Sequence, residues 1–213
     1  MSPGAAGPGL WLLALLVGGP AGATRDPQDY RARLHQDAAA RAEALNATGR
    51  SEEALALCEE QVEAFGEDAA VLYEWAFSLN TQGRLEKAEE VYGRVLALDP
   101  RHAAARYDRA ELRLARGEVE GAAQDLRVAA EERPDHWAAH FRLAEVAARQ
   151  GDAAAFEVSL MAALSNGLDL RSLGLDPDWQ GFARDPVVGP VLVRILSVYG
   201  DATTLDQLRG GAP

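Results

Sequence analysis

Only one cysteine, Cys58, and one lysine, Lys87, occur in the 213 residues. A lone thiol excludes any internal disulfide, so packing must hold the fold in whatever redox compartment the chain occupies. The first 23 residues carry no charged side chain, so their removal would leave the net charge of −12 unchanged. That acidic balance, with a pI near 4.8, repels phosphate backbones and excludes nucleic acid as the main ligand. No apolar run reaches the ~20 residues that a membrane-spanning helix needs. A phosphate-cradling loop, a dinucleotide glycine motif, a Ser-His-Asp arrangement and a Cys/His cluster are all missing, so no catalysis and no cofactor are expected.

What is present begins with an apolar run at residues 10–17, followed by small residues and an Ala-x-Ala at Ala21 to Ala23. This is a secretory signal pattern with cleavage expected after Ala23, giving a periplasmic or secreted protein; an uncleaved N-terminal membrane anchor is the alternative. No Lys or Arg precedes the run, and no Cys follows the cleavage point to carry a lipid. Twenty arginines to one lysine, with abundant alanine, is the compositional habit of a GC-rich bacterial genome.

Gly49, Gly83, Gly117 and Gly151 are each 34 residues apart. Seven residues before them stand Ala42, Ala76, Ala110 and Ala144; five after stand Ala54, Ala88 and Ala122, with Phe156 breaking the series. Between these landmarks apolar residues recur at three- and four-residue spacing, as in Leu85, Ala88, Val91, Val95, Leu96 and Leu98, which predicts amphipathic helices. Each unit is therefore two helices around a glycine that tolerates positive φ, with small residues letting the helices approach. Pro100 and Pro134 close the second helix of their units.

This pattern resembles the tetratricopeptide repeat family, whose unit is a 34-residue antiparallel helix pair with small residues at those places and a closing Leu-Asp-Pro. The resemblance covers residues 35–168 and implies an all-α, right-handed α-solenoid of about four helix pairs. The outer units depart from it, with Gly66 and Leu168 where proline is usual, as terminal repeats do when they cap a stack. Residues 24–34 lead into the first helix, with Asp26 as its cap and Pro27 in its first turn. After the repeats, Asp176-Pro177 and Asp185-Pro186 each predict a capped helix start, so residues 169–199 are read as capping helices and 200–213 as a frayed, disordered tail.

Ten residues before each glycine lie Ala39, Tyr73, Tyr107 and Phe141; six before lie Glu43, Phe77, Glu111 and Glu145. Four residues apart, the two columns share one helix face. The resemblance implies that they line a concave groove, predicting that Tyr73, Phe77, Tyr107, Glu111, Phe141 and Glu145 receive a protein or peptide partner with basic and apolar side chains. Packing between neighbouring units would explain the same aromatics without a ligand. The acids argue against the carboxylate-binding groove of the family's cochaperones, which needs Lys, Arg and Asn.

A non-catalytic scaffold of the cell envelope is the function expected. A structural protein self-associating through the apolar segment 191–199 is a second reading. A metal-dependent enzyme using His136 and His140, four apart, is the third, although His102 and His136 each follow a proline by two and so read as turn residues. Cys58 shares its repeat position with Tyr92, Leu126 and Leu160 and is read as core, while Asn46-Ala47-Thr48 fits a glycosylation sequon that matters only in a eukaryote and is otherwise explained by helix-end capping beside Gly49.

Overall fold

A computed structural model describes residues 27–173, 176–200 and 202–208. The expected signal segment, 1–23, and Asp26 lie outside them. The contact network divides the chain into Met1–Leu34 and His35–Pro213. The first helix, α1 (Pro27–Ala47), crosses that division, and its residues 27–33 are exposed.

Seven further helices complete four hairpins: α2 (Ser51–Phe65), α3 (Ala69–Thr81), α4 (Leu85–Leu98), α5 (Ala103–Ala115), α6 (Val119–Glu132), α7 (Trp137–Gln150) and α8 (Ala153–Ser165). A 3-10 turn at Leu170–Leu173 leads to α9 (Pro177–Arg184), α10 (Gly189–Tyr199) and α11 (Ala202–Leu208). The described residues are an all-helical solenoid with a helical C-terminal cap.

The four glycines do what their spacing predicts. Gly49, Gly83, Gly117 and Gly151 have φ of +75°, +73°, +77° and +69°. The residue after each glycine donates its N–H across the turn, Arg50 to Leu45, Arg84 to Leu79, Glu118 to Arg113 and Asp152 to Ala147, all at 2.9 Å. This six-to-one bond satisfies a helix-end carbonyl and turns the chain in the same way four times. The flanking alanines Ala42, Ala76, Ala110, Ala144, Ala54, Ala88 and Ala122 are fully buried, so a larger side chain at any of them would push the helices apart.

Phe156 departs from that series because the fourth hairpin packs on something different. Its ring lies 6.0 Å from Trp179 of α9, in a cluster with Leu160, Leu168, Leu192 and Leu196. Helix α9 is capped by Asp176, whose side chain accepts from the Asp178 and Trp179 N–H groups. Asp185 likewise accepts from Val187 and Val188, although regular helix begins only at Gly189. A Cβ on Gly189 would lie 2.6 Å from the Ala183 carbonyl oxygen, so α9 and α10 meet where only glycine fits.

Three expectations are revised. Residues 202–208, read as frayed, form α11, because Thr204 and Leu208 are buried and repay the ordering of a short segment. The rest of that tail, 209–213, lies outside the described residues. Asn46 caps nothing: its amide donates to the Glu74 carboxylate at 2.9 Å and accepts from the Ser78 hydroxyl, while Thr48 serves the helix-end carbonyls. Glu145, expected to face the groove, is 4% exposed.

Away from the two predicted columns, Asp125 of α6 is 1% exposed and bonded by Arg106 at 2.7 Å and by Arg109 and Arg113 at 2.8 Å, all from α5. Burial opposes its charge, but the Arg109 and Arg106 hydrogen bonds prevail and hold its pKa below the ordinary aspartate value. Arg113 also reaches Glu89 of α4 at 3.1 Å, linking the second hairpin to the third.

Candidate functional site

The aromatic column passes from one unit to the next. Tyr73 stacks on His102 with centroids 5.0 Å apart, Tyr107 meets the edge of His136 at 5.0 Å, and Phe141 stacks on Trp179 at 5.0 Å and 12°. The packing role weighed for these aromatics is therefore present. Each histidine comes from the turn that opens the next unit, and the cap supplies a tryptophan in its place. His102 also caps α5, its Nδ1 accepting from the Ala105 N–H.

Packing does not cover the second and third units. Tyr73, Tyr107 and Asp108 line a hollow of about 290 Å³ with Ala103, Ala104, Ala129, Arg133 and His136. Phe77 stands half-buried one turn from Tyr73, with centroids 6.5 Å apart. In the first unit the column holds Ala39, partly buried against the core, and Glu43, which is exposed, so no aromatic continues it there.

Asp108 is the acidic residue of this hollow that the columns did not predict. Its Oδ2 accepts from the Tyr73 hydroxyl at 3.0 Å and the Tyr92 hydroxyl at 3.3 Å, and it makes no ion pair among the described residues. Burial pushes its pKa up to about 6, against the lowering effect of the two tyrosine bonds and with a further raise from Glu111. The Tyr73 and Tyr92 phenols are raised in turn, by burial first and by Asp108 second.

The acidic column is altered by a residue that lies outside it. Arg142 bonds Glu111 at 2.8 Å and Glu145 at 2.7 Å. Glu145 also accepts from the Trp179 indole N–H at 3.1 Å. Among the described residues it is thereby enclosed by its own helix and by α9, the physical reason that it does not present a carboxylate to a ligand. Phe141 is sheltered by the same tryptophan, so the fourth unit's share of the predicted face is taken by the cap.

Asp108, Glu74 and Arg142 form a column of their own, nine residues before each glycine, with Ala40 in the first unit. No shared residue type marks it, yet one clue was available: three ionisable residues recur beside aromatics on a face otherwise rich in alanine. His140 donates from Nε2 to the Pro134 carbonyl at 3.0 Å, and among the described residues no group of three or more His, Cys, Asp or Glu could hold a metal. Cys58 is fully buried, like Tyr92, Leu126 and Leu160, and burial pushes its thiol up to about 12, so its unreactive protonated form prevails. Among the described residues no helix is long and apolar enough to cross a membrane.

The tetratricopeptide repeat model matches residues 73–135 and 126–166. Among solved structures, the chain is similar to MamA from Desulfovibrio magneticus, with 17% identity and a TM-score of 0.63 over 86% of this chain and 98% of that one. TTC0263 of Thermus thermophilus shares 20% identity and a TM-score of 0.54 over 80% and 94%. YrrB, described as a tetratricopeptide protein with an unusual peptide-binding site, shares 14% identity and a TM-score of 0.61 over 79% and 88%. At these identities the likeness is one of fold. No curated protein matches the sequence.

Proposed function

The chain is a tetratricopeptide repeat protein, and on that premise we propose that it is a non-catalytic scaffold whose second and third units bind an extended peptide segment of a partner protein. The observation that carries this reading is the hollow lined by Tyr73 and Tyr107, which persists although His102 and His136 pack on those rings, whereas in the fourth unit the larger Trp179 stacks on Phe141. Aromatic rings with a polar edge anchor interfaces well, because they bury large area at a small entropic cost. The partner offers apolar side chains to Tyr73, Phe77 and Tyr107 and a basic one to the acidic floor.

YrrB offers a precedent within the fold for a peptide site, which supports the reading by analogy. The apolar run at residues 10–17 and the Ala-x-Ala before residue 24 favour a partner in the cell envelope. The full chain and a Tyr73→Ala, Tyr107→Ala variant, shown by circular dichroism to be folded, are used to capture proteins from the source cell's envelope and soluble fractions. A protein retained by the first and lost by the second supports the groove and the compartment together. Equal retention by both would move the site elsewhere on the molecule.

A further inference from the structure

We infer that the hollow beside Asp108 is a socket for one lysine side chain of the bound segment, a deepening that rests on the groove reading above. Its volume of about 290 Å³ falls at the floor of the range for small-molecule pockets, which suits one long side chain better than a metabolite. The walls are the rings of Tyr73 and Tyr107 and the methyl groups of Ala103, Ala104 and Ala129, surfaces on which an alkyl stem packs. The floor is a carboxylate.

That carboxylate is incomplete in a specific way. Both tyrosine hydroxyls go to Oδ2, while Oδ1 accepts no hydrogen bond among the described residues and is not one of their sealed, unpartnered atoms. A guanidinium binds best to two free carboxylate oxygens at once, whereas an ammonium is a compact point charge that needs only one. An ammonium at Oδ1 keeps both tyrosine bonds and gains the faces of two aromatic rings.

The other charged groups around the hollow do not supply the missing cation. Arg133 lines the rim, but its side chain is 57% exposed with Asp135 at 4.0 Å, so solvent screens it. His136 is held below its ordinary pKa by burial first and by the charge of Arg133 second, which disfavours its cationic form. Glu74 and Glu111 add negative potential at Asp108, and Glu111 is shared with Arg142. A positive side chain from outside thus meets a half-buried anion that the fold has not neutralised.

The test selects short random peptides displayed on phage against the immobilised full chain and its Asp108→Asn and Tyr107→Ala variants, each verified as folded. Asparagine keeps an acceptor for the tyrosine hydroxyls and removes the charge. Lysine should be enriched at one peptide position on the parent chain and lost from that position on Asp108→Asn, with the apolar preferences beside it kept. A synthetic copy of the best peptide should lose about tenfold in affinity when its lysine becomes norleucine on the parent chain, and nothing on Asp108→Asn. Tyr107-dependent peptides without a lysine preference, with arginine enriched equally, or with a lysine preference that survives Asp108→Asn would overturn the socket and leave the groove standing. Finding no peptide whose capture depends on Tyr107 would overturn both.

Discussion

Asp108 and Asp125 sit seventeen residues apart on the two helices of one hairpin, and the fold treats them in opposite ways. Asp125 is surrounded by three arginines and held below its ordinary pKa in spite of burial. Asp108 is given two phenol hydroxyls and, among the described residues, no ion pair, and is raised to about 6. A buried carboxylate that serves only the fold is neutralised by the fold, as Asp125 is. One left with an open oxygen beside a hollow carries a cost that a ligand can relieve, and such imbalance marks sites better than acidity does.

Removing each partner sharpens the contrast. The largest effect is expected for Asp125→Ala, which takes the shared carboxylate from Arg106, Arg109 and Arg113 at the α5–α6 contact and leaves Arg113 with Glu89 alone; a loss of about 3 kcal/mol should appear in urea unfolding, toward the lower end for buried pairs because the arginines keep some solvent. Next comes Trp179→Phe, which keeps a ring on Phe141 but takes the indole N–H from Glu145, at a cost of about 1 to 2 kcal/mol by the same measurement.

Asp108→Asn should differ in sign. Unfolded, Asp108 releases its proton near its ordinary 3.8; folded, it does so only near 6. Between these values the folded state binds more protons, so this residue's contribution to stability falls as pH rises through the window and levels off above it. The asparagine variant should therefore match the parent near pH 4 and exceed it at pH 7 by no more than about 3 kcal/mol, a ceiling that solvent lowers at this half-buried group. A parent that gained on the variant as pH rose from 4 to 6 would contradict the reading of Asp108 as unneutralised.

The smallest expected effect separates the units. Tyr107→Ala should weaken peptide capture about tenfold, while Val198→Ala, on the exposed face of α10, should leave it unchanged in the same assay. Loss of capture with Val198→Ala would favour the self-association reading of the cap.

The hairpins could be read from the chain because their determinants are local and repeated. Gly49, Gly83, Gly117 and Gly151 each impose one turn geometry, and each alanine marks a crossing within its own unit. The site was readable only in part. Tyr73 and Tyr107 line a hollow and Phe77 stands one turn from Tyr73, but whether a column is open depends on what the following element brings. Nothing in the local pattern around Trp179 says that its ring will cover Phe141 and its N–H will take Glu145, since that docking is tertiary. Asp108 and Arg142 escaped for another reason: a column of Ala40, Glu74, Asp108 and Arg142 has no common chemistry to recognise. The tail misled because Thr204 and Leu208 become buried only when α11 finds the cap.

The central claim is that the second and third units are open to a ligand and the fourth is closed by its own cap. Alanine-methyl NMR of the full chain, titrated with the peptide selected above, tests it most directly. The account predicts shifts at Ala103, Ala104 and Ala129, which line the hollow, with Ala163 and Ala183 beside the cap unmoved. Shifts confined to Ala163 and Ala183 would place the ligand on the cap and contradict it.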